Sequence, residues 1–163
     1  MRRSLRIRAI ADCVPSVAKV VVDVGTDHAR LPLELLRRGF TGRIVATDLR
    51  SGPLEQARRT LRADPAGGRI ELRRGRGLEP IESGEADVVC IAGLGGSNIC
   101  EILAQGFGKL VRTRRLVLNP LRDERLVRSW LCGVGWRLVE ERRTSERGYD
   151  YAILVAAPGD GEA

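Results

Sequence analysis

The chain has 163 residues, a net charge of +7, 43% apolar residues and 30% charged ones, a size that suits one domain with a core needing neither disulfides nor metal staples. No apolar run approaches the ~18–20 residues of a membrane span, and the opening Met1-Arg-Arg-Ser-Leu-Arg-Ile-Arg8 has no apolar stretch behind its charges, which argues against a secretory signal and for the cytoplasm. Cys13, Cys90, Cys100 and Cys132 lie far apart and His28 is the single histidine, so reduced, mostly buried thiols are expected and no metal site.

The spacing of Leu5, Ile7, Ile10, Ala11 and Val14 predicts a short helix over 4–14, stopped by Pro15. Lys19 to Val24 is a β-branched run ending in a glycine turn, the pattern of a strand buried on both faces. Ala29 to Arg38 reads as a helix with Gly39 as its cap. The cycle repeats: strand 43–47, helix 53–63, strand 69–74, a turn or short helix near 78–82, strand 87–92, helix 97–105, strand 115–118 and helix 123–133. Two closing strands, 136–143 and 149–156, are joined by Thr-Ser-Glu-Arg-Gly and should form an antiparallel hairpin. Such alternation predicts an α/β fold, a mostly parallel seven-stranded sheet with an antiparallel last strand and helices on both faces. Residues 1–157 are read as one domain and 158–163, Pro-Gly-Asp-Gly-Glu-Ala, as a disordered tail.

In open sheets of this kind ligands sit beyond the carboxyl ends of the strands. The first such turn, Asp23-Val-Gly-Thr-Asp-His28, has neither the G-x-G-x-x-G of a dinucleotide site nor a phosphate loop. Its one glycine, Gly25, is flanked by two carboxylates that would repel a pyrophosphate. A phosphate-free cation suits them better, and S-adenosyl-L-methionine, with its sulfonium and ammonium groups, is such a ligand. Asp48 ends the second strand, where a carboxylate can accept both hydroxyls of a ribose, although a helix-capping Asp would look the same.

Gly75-Arg-Gly-Leu-Glu79, after the third strand, is where an adenine would rest, with Leu78 as an apolar surface. Ile91-Ala-Gly-Leu-Gly-Gly-Ser97 offers no nucleophile or base after Ala92; its glycines let a planar substrate approach a methyl donor, or merely make a tight turn. Asn119-Pro120 could orient a base through its amide or cap a turn, and His28 reads as an orienting or packing residue. Aromatics make up 4% of the chain and none lies in the first four strand-end turns, so no base-stacking platform is expected. The pI near 10 favours a polyanionic partner such as nucleic acid, yet all basic residues except Lys19 and Lys109 are Arg, a bias that GC-rich coding also produces.

Taken together, Arg6-Ile-Arg-Ala-Ile-Ala-Asp-Cys-Val-Pro15, Val24-Gly-Thr-Asp-His-Ala-Arg-Leu-Pro32, Asp48-Leu-Arg-Ser-Gly-Pro53 and Ile91-Ala-Gly-Leu-Gly-Gly96 resemble the bacterial tRNA (adenine-22 N1)-methyltransferase family of class I methyltransferases. The likeness covers nearly the whole chain and corresponds to that family's catalytic domain without its C-terminal coiled coil. It implies a Rossmann-like, S-adenosyl-L-methionine-dependent enzyme that methylates an adenine ring nitrogen of tRNA. By matching position it implies a cofactor pocket of Asp23, Gly25, Asp27, His28, Asp48, Gly77, Leu78, Ala92 and Gly93, with Arg6, Gly95 and Gly96 facing the substrate; beside these, Thr26, Leu49 and Arg76 are read as further cofactor contacts, Arg30 as facing the substrate, and His28 and Asn119 as catalytic residues. Arg30 and Arg76 stand where the family usually has Tyr and Asp, and Asn119-Pro-Leu121 replaces its Gln-Pro-Asn. A related cofactor- or RNA-binding module without turnover, or a methyltransferase for another substrate, are the alternatives.

Overall fold

A computed structural model of the chain describes residues 3–160. Seven strands, β1 (Val20–Val24), β2 (Arg43–Asp48), β3 (Ile70–Arg74), β4 (Val88–Leu94), β5 (Arg115–Pro120), β6 (Trp136–Glu146) and β7 (Tyr149–Pro158), form one sheet. Its spatial order is β3-β2-β1-β4-β5-β7-β6. The first five strands pair in parallel, and β7 alone is reversed, antiparallel to both β5 and β6. The expected architecture is therefore the observed one.

Period-two alternation along the buried strands splits their side chains between two cores. Val21, Ile44, Ala46, Val117, Ile153 and Val155 face the layer of α1 (Leu5–Asp12), α2 (Arg30–Arg37) and α3 (Ser51–Ala63). Val22, Val45, Val89, Leu116, Leu118 and Leu154 face α4 (Gly96–Gln105) and α5 (Glu124–Gly133). Strand runs such as Val20-Val-Val-Asp-Val24 carry no polar face because both faces are covered. The prolines of α2 and α3, Pro32 and Pro53, both lie in first turns, where a missing N–H costs no intrahelical bond.

Most element ends fall within two residues of expectation. The region near 78–82 is a turn rather than a helix, and short 3₁₀ turns at Gly67–Arg69 and Phe107–Leu110 were not foreseen. The expected five-residue connection of the last hairpin contracts to Arg147-Gly148, both at positive φ (52° and 81°), the two-residue turn whose twist matches the strands. Of the tail expected over 158–163, Pro158 still pairs with Trp136 and the Gly159 N–H donates to the Gly135 carbonyl at 2.8 Å, while residues 161–163 lie outside the described residues. Connections after β1 run outward to β2 and β3, and the chain then returns to place β4 on the other side of β1. That reversal opens a crevice at the carboxyl ends of β1 and β4.

Candidate active site

A cavity of about 530 Å³ lies over that crevice. Of the residues expected in a site, it brings together Arg6, Asp23, Gly25, Thr26, Asp27, His28, Arg30, Asp48, Leu49, Arg76, Gly77, Ala92 and Gly93. Leu78, Gly95, Gly96 and Asn119 are not part of its lining.

The turn after β1 is held by the end of β2. The Gly25 and Thr26 N–H groups both donate to the Thr47 carbonyl at 2.8 Å, and the Asp27 N–H donates to Asp48 Oδ2 at 3.3 Å. To present these amides the chain passes through the left-handed region at Gly25, Asp27 and Ala29 (φ 72°, 53° and 57°). Glycine adopts that conformation freely and Asp tolerates it, whereas at Ala29 it costs about 1–2 kcal/mol. Ala29 is also the N-cap of α2 and offers that helix no side-chain acceptor.

Asp23 and Asp48 are 5% and 4% exposed. Burial pushes the Asp23 carboxyl up to about 7; the nearby Asp48 carboxylate adds to the rise, while the neighbouring Thr26 hydroxyl and the Arg6 guanidinium work against it. Asp48 Oδ1 accepts the Arg50 N–H at 3.0 Å, so this carboxylate both makes the turn into α3 and lines the cavity. Thr47 Oγ1, which also faces this region, is buried without a hydrogen-bond partner, and the buried Thr26 Oγ1 has only the Asp23 carboxyl beside it. Orphaned buried hydroxyls are uncommon and point to a polar ligand. His28 lies at the mouth, its Nε2 3.7 Å from Asp27 Oδ1, with both side chains substantially exposed.

At the far end the cavity runs between the Gly75–Gly77 turn and α4. Gly77 has φ 56°, and a side chain there would meet Ile102 at 3.3 Å. Glu101 receives Arg76 Nη2 at 3.5 Å and Gln105 Nε2 at 3.2 Å. The expectation for Leu78 is corrected: it is 2% exposed and packed beneath Gly106, because the left-handed Gly77 turns the next side chain into the core. Thr47, Arg50, Asn98, Glu101, Ile102 and Gln105 line the cavity without having been foreseen. The α4 set was legible in principle, since 98, 101, 102 and 105 follow the i, i+3, i+4, i+7 spacing of one helix face.

At the other end Gly93 (φ 76°) leaves room that Arg6 uses; its Nη1 lies 3.5 Å from where a Cβ would stand. The same Nη1 donates to Asn119 Oδ1 at 3.0 Å, and Asn119 Nδ2 donates to the Ala152 carbonyl at 2.9 Å. Asn119 is fully buried with both ends of its amide engaged. It therefore holds Arg6 in place, a positioning role instead of the catalytic contact expected. The substrate-facing expectation for Gly96 is corrected as well. Gly96 is buried, and any side chain there would collide with the Asp123 carbonyl; Gly95 is the α4 N-cap, beside Arg122. Their smallness serves packing of α4 on the 122–123 loop.

Among the described residues no cysteine or serine lines the cavity. Cys90 is fully buried in β4 and burial holds its thiol well above the usual range. Among the described residues no group of three or more His, Cys, Asp or Glu could hold a metal ion, and no helix is long and apolar enough to cross a membrane. What remains is a chamber with carboxylates on the first two turns, an amphipathic helix wall and an anchored guanidinium, able to bind and align two molecules.

Residues 3–154 match a family model described as a methyltransferase domain. The chain is 36% identical over 163 residues, all of this chain and 68% of the relative, to the tRNA (adenine(22)-N(1))-methyltransferase of Bacillus subtilis (strain 168). Among solved structures it resembles the B. subtilis M1A22 tRNA methyltransferase TrmK, with a TM-score of 0.90 and 35% identity over 98% of this chain and 68% of that one. It also resembles Streptococcus pneumoniae Sp1610 in complex with S-adenosyl-L-methionine, with a TM-score of 0.91 and 34% identity over 99% and 76% of the two chains. For M. capricolum TrmK in complex with S-adenosyl-homocysteine the TM-score is 0.84 at 25% identity, over 94% and 68%.

Proposed function

Because the chain belongs to the tRNA (adenine(22)-N(1))-methyltransferase family, we propose that it is an S-adenosyl-L-methionine-dependent enzyme that methylates N1 of an adenine in tRNA. The observation that carries this reading is the first turn, where one glycine, the buried carboxylates Asp23 and Asp48 and the unpartnered Thr47 hydroxyl meet in one cavity suited to a phosphate-free, cationic nucleoside. S-adenosyl-L-methionine, when bound, supplies a methyl group made electrophilic by its sulfonium.

The rest is the work of this chain's residues. Asp23 and Asp27 offer negative charge to the donor's cationic end. Asp48, already fixed by two backbone N–H groups, is poised to accept ribose hydroxyls. Gly77, Ile102, Glu101 and Gln105 bound the adenine end; Glu101 supplies the acceptor that Arg76 cannot. Gly93 and Arg6 face the substrate, with Arg30 and His28 at the mouth. Adenine N1 attacks with its own lone pair, so no general base is required, and alignment with exclusion of water carries the rate. The reaction so read asks for no metal. The basic surface suits tRNA, and a tRNA-modifying role places the enzyme in the cytoplasm. Residues 1–157 are taken as the one catalytic domain.

Calorimetric titration with S-adenosyl-L-methionine, followed by mass analysis of nucleosides from tRNA incubated with protein and cofactor, tests the proposal. Micromolar binding and appearance of 1-methyladenosine are expected. Absence of binding up to millimolar cofactor, or unmodified tRNA despite binding, would overturn it.

A further inference from the structure

The chain has only two Tyr, two Trp and two Phe, and four of these six pack away from the cavity, although Phe107 is still 41% exposed. Phe40 is buried, Trp136 nearly so, and Phe107 meets Trp130 edge-on at 6.0 Å. Tyr149 and Tyr151 remain. They alternate along β7, so they share one face of the hairpin tip, with ring centroids 6.4 Å apart and planes tilted by 42°. The Arg6 guanidinium lies over Tyr151, 5.6 Å from its ring centre. Since Asn119 fixes that guanidinium above Gly93, a row of planar groups, tilted to one another, leads from the cavity through Arg6 and Tyr151 to Tyr149, which is 69% exposed.

Resting on the tRNA reading above, we propose that this surface is a stacking ledge for an unpaired nucleobase next to the target adenine. Four observations favour a nucleobase over a chance exposure of two rings. First, Tyr149 is the most exposed aromatic side chain among the described residues. Second, the position of Arg6 is imposed from outside the cavity: Glu146, on the same hairpin, accepts the Ser4 hydroxyl at 2.9 Å and the Leu5 N–H at 2.8 Å, setting α1 in register. Third, the carboxylates of the hairpin tip are already engaged, Glu146 by α1 and Asp150 by the Ser145 hydroxyl, while the basic Arg147 sits in the hairpin turn, two positions before Tyr149. Fourth, an aromatic face continued by a guanidinium plane is the surface on which single-stranded bases of any sequence stack.

The test measures affinity for tRNA and for a short single-stranded oligonucleotide by fluorescence anisotropy at several salt concentrations, with cofactor affinity alongside. Tyr149→Ala, at an exposed position, should bind both RNAs about tenfold more weakly. Its cofactor affinity and the slope of log K against log salt should stay unchanged, because stacking releases no counterions. Tyr149→Trp should bind at least as tightly as the parent, and Arg147→Ala should flatten the salt slope. Unchanged RNA affinity in Tyr149→Ala, or an equal loss in Tyr149→Trp, would overturn the ledge. A parent chain that binds tRNA without methylating it would sink the functional assignment and leave the ledge to be judged by the binding series.

Discussion

Cofactor binding should be linked to a proton on Asp23. Its carboxyl is buried and titrates at about 7, whereas a cationic ligand favours the ionised form. Affinity should therefore rise with pH through the neutral range and level off above it. With half-titration at 7, the ionised fraction grows roughly eightfold between pH 6 and pH 7.5, and the dissociation constant should fall by that factor. This window stays below the titration of the ligand's own amino group, near 8. Calorimetry at pH 7 in two buffers of different ionisation enthalpy should report release of about half a proton per cofactor bound. In Asp23→Asn the pH slope and the proton release should both vanish; in His28→Gln both should persist. A flat affinity between pH 6 and pH 7.5 in the parent protein, or a slope that survives Asp23→Asn, would refute the reasoning. Without cofactor the same shift bears on folding. The unfolded carboxyl ionises near 3.8 and the folded one near 7, so the unfolded chain binds fewer protons between these values. Stability from this source is complete below the lower value and is lost as pH rises to the upper one, by about 4 kcal/mol at most.

Asp48→Ala should weaken S-adenosyl-L-methionine binding by about 1.5–3 kcal/mol, the worth of charge-assisted hydrogen bonds; unchanged affinity in calorimetry would leave Asp48 only its turn-making role. Asn119→Ala should cost about 1–3 kcal/mol of stability in urea unfolding, since the Ala152 carbonyl loses its buried donor, and should depress tRNA methylation far more than cofactor affinity as Arg6 comes loose. On the rear of the sheet Arg73 donates to both oxygens of Glu85, at 2.8 and 2.6 Å, and this pairing chiefly holds the Glu85 carboxyl down at about 2. Glu85→Gln should therefore lose about 2–3 kcal/mol at pH 7, a difference present above the unfolded value of 4.5 and shrinking as pH falls toward 2; equal losses at both pH values would contradict it.

The sheet was legible because its strands are short β-branched runs separated by amphipathic helices, and local pattern decides such a case. The first turn was legible for a different reason: a single glycine between two carboxylates is a chemical statement that survives without coordinates. Leu78 was misplaced because the left-handed Gly77 before it reverses the facing of the next residue, and positive φ at a glycine leaves no trace in hydropathy. Asn119 was read as catalytic from its place at a strand end, but its amide is claimed by groups 113 and 33 residues away, distances over which sequence pattern is silent. The stacking ledge escaped for a related reason. Its tyrosines lie on the reversed strand, whose start, not its end, sits beside the cavity, so an inspection confined to the ends of the early strands passes them by.

The tie between Ser4 and Glu146 spans 142 positions, and it gives the protein an order of birth. On the ribosome most of the strands, turns and helices that line the cavity, through α4, are available while α1 still has no hairpin to rest on. Synthesis then runs for some seconds more before Glu146 emerges. Only at that point can α1 settle, Asn119 take hold of Arg6 and the substrate face close. A nascent chain thus completes most of its cavity first and fixes Arg6 last, when the hairpin that completes the sheet also docks the first helix.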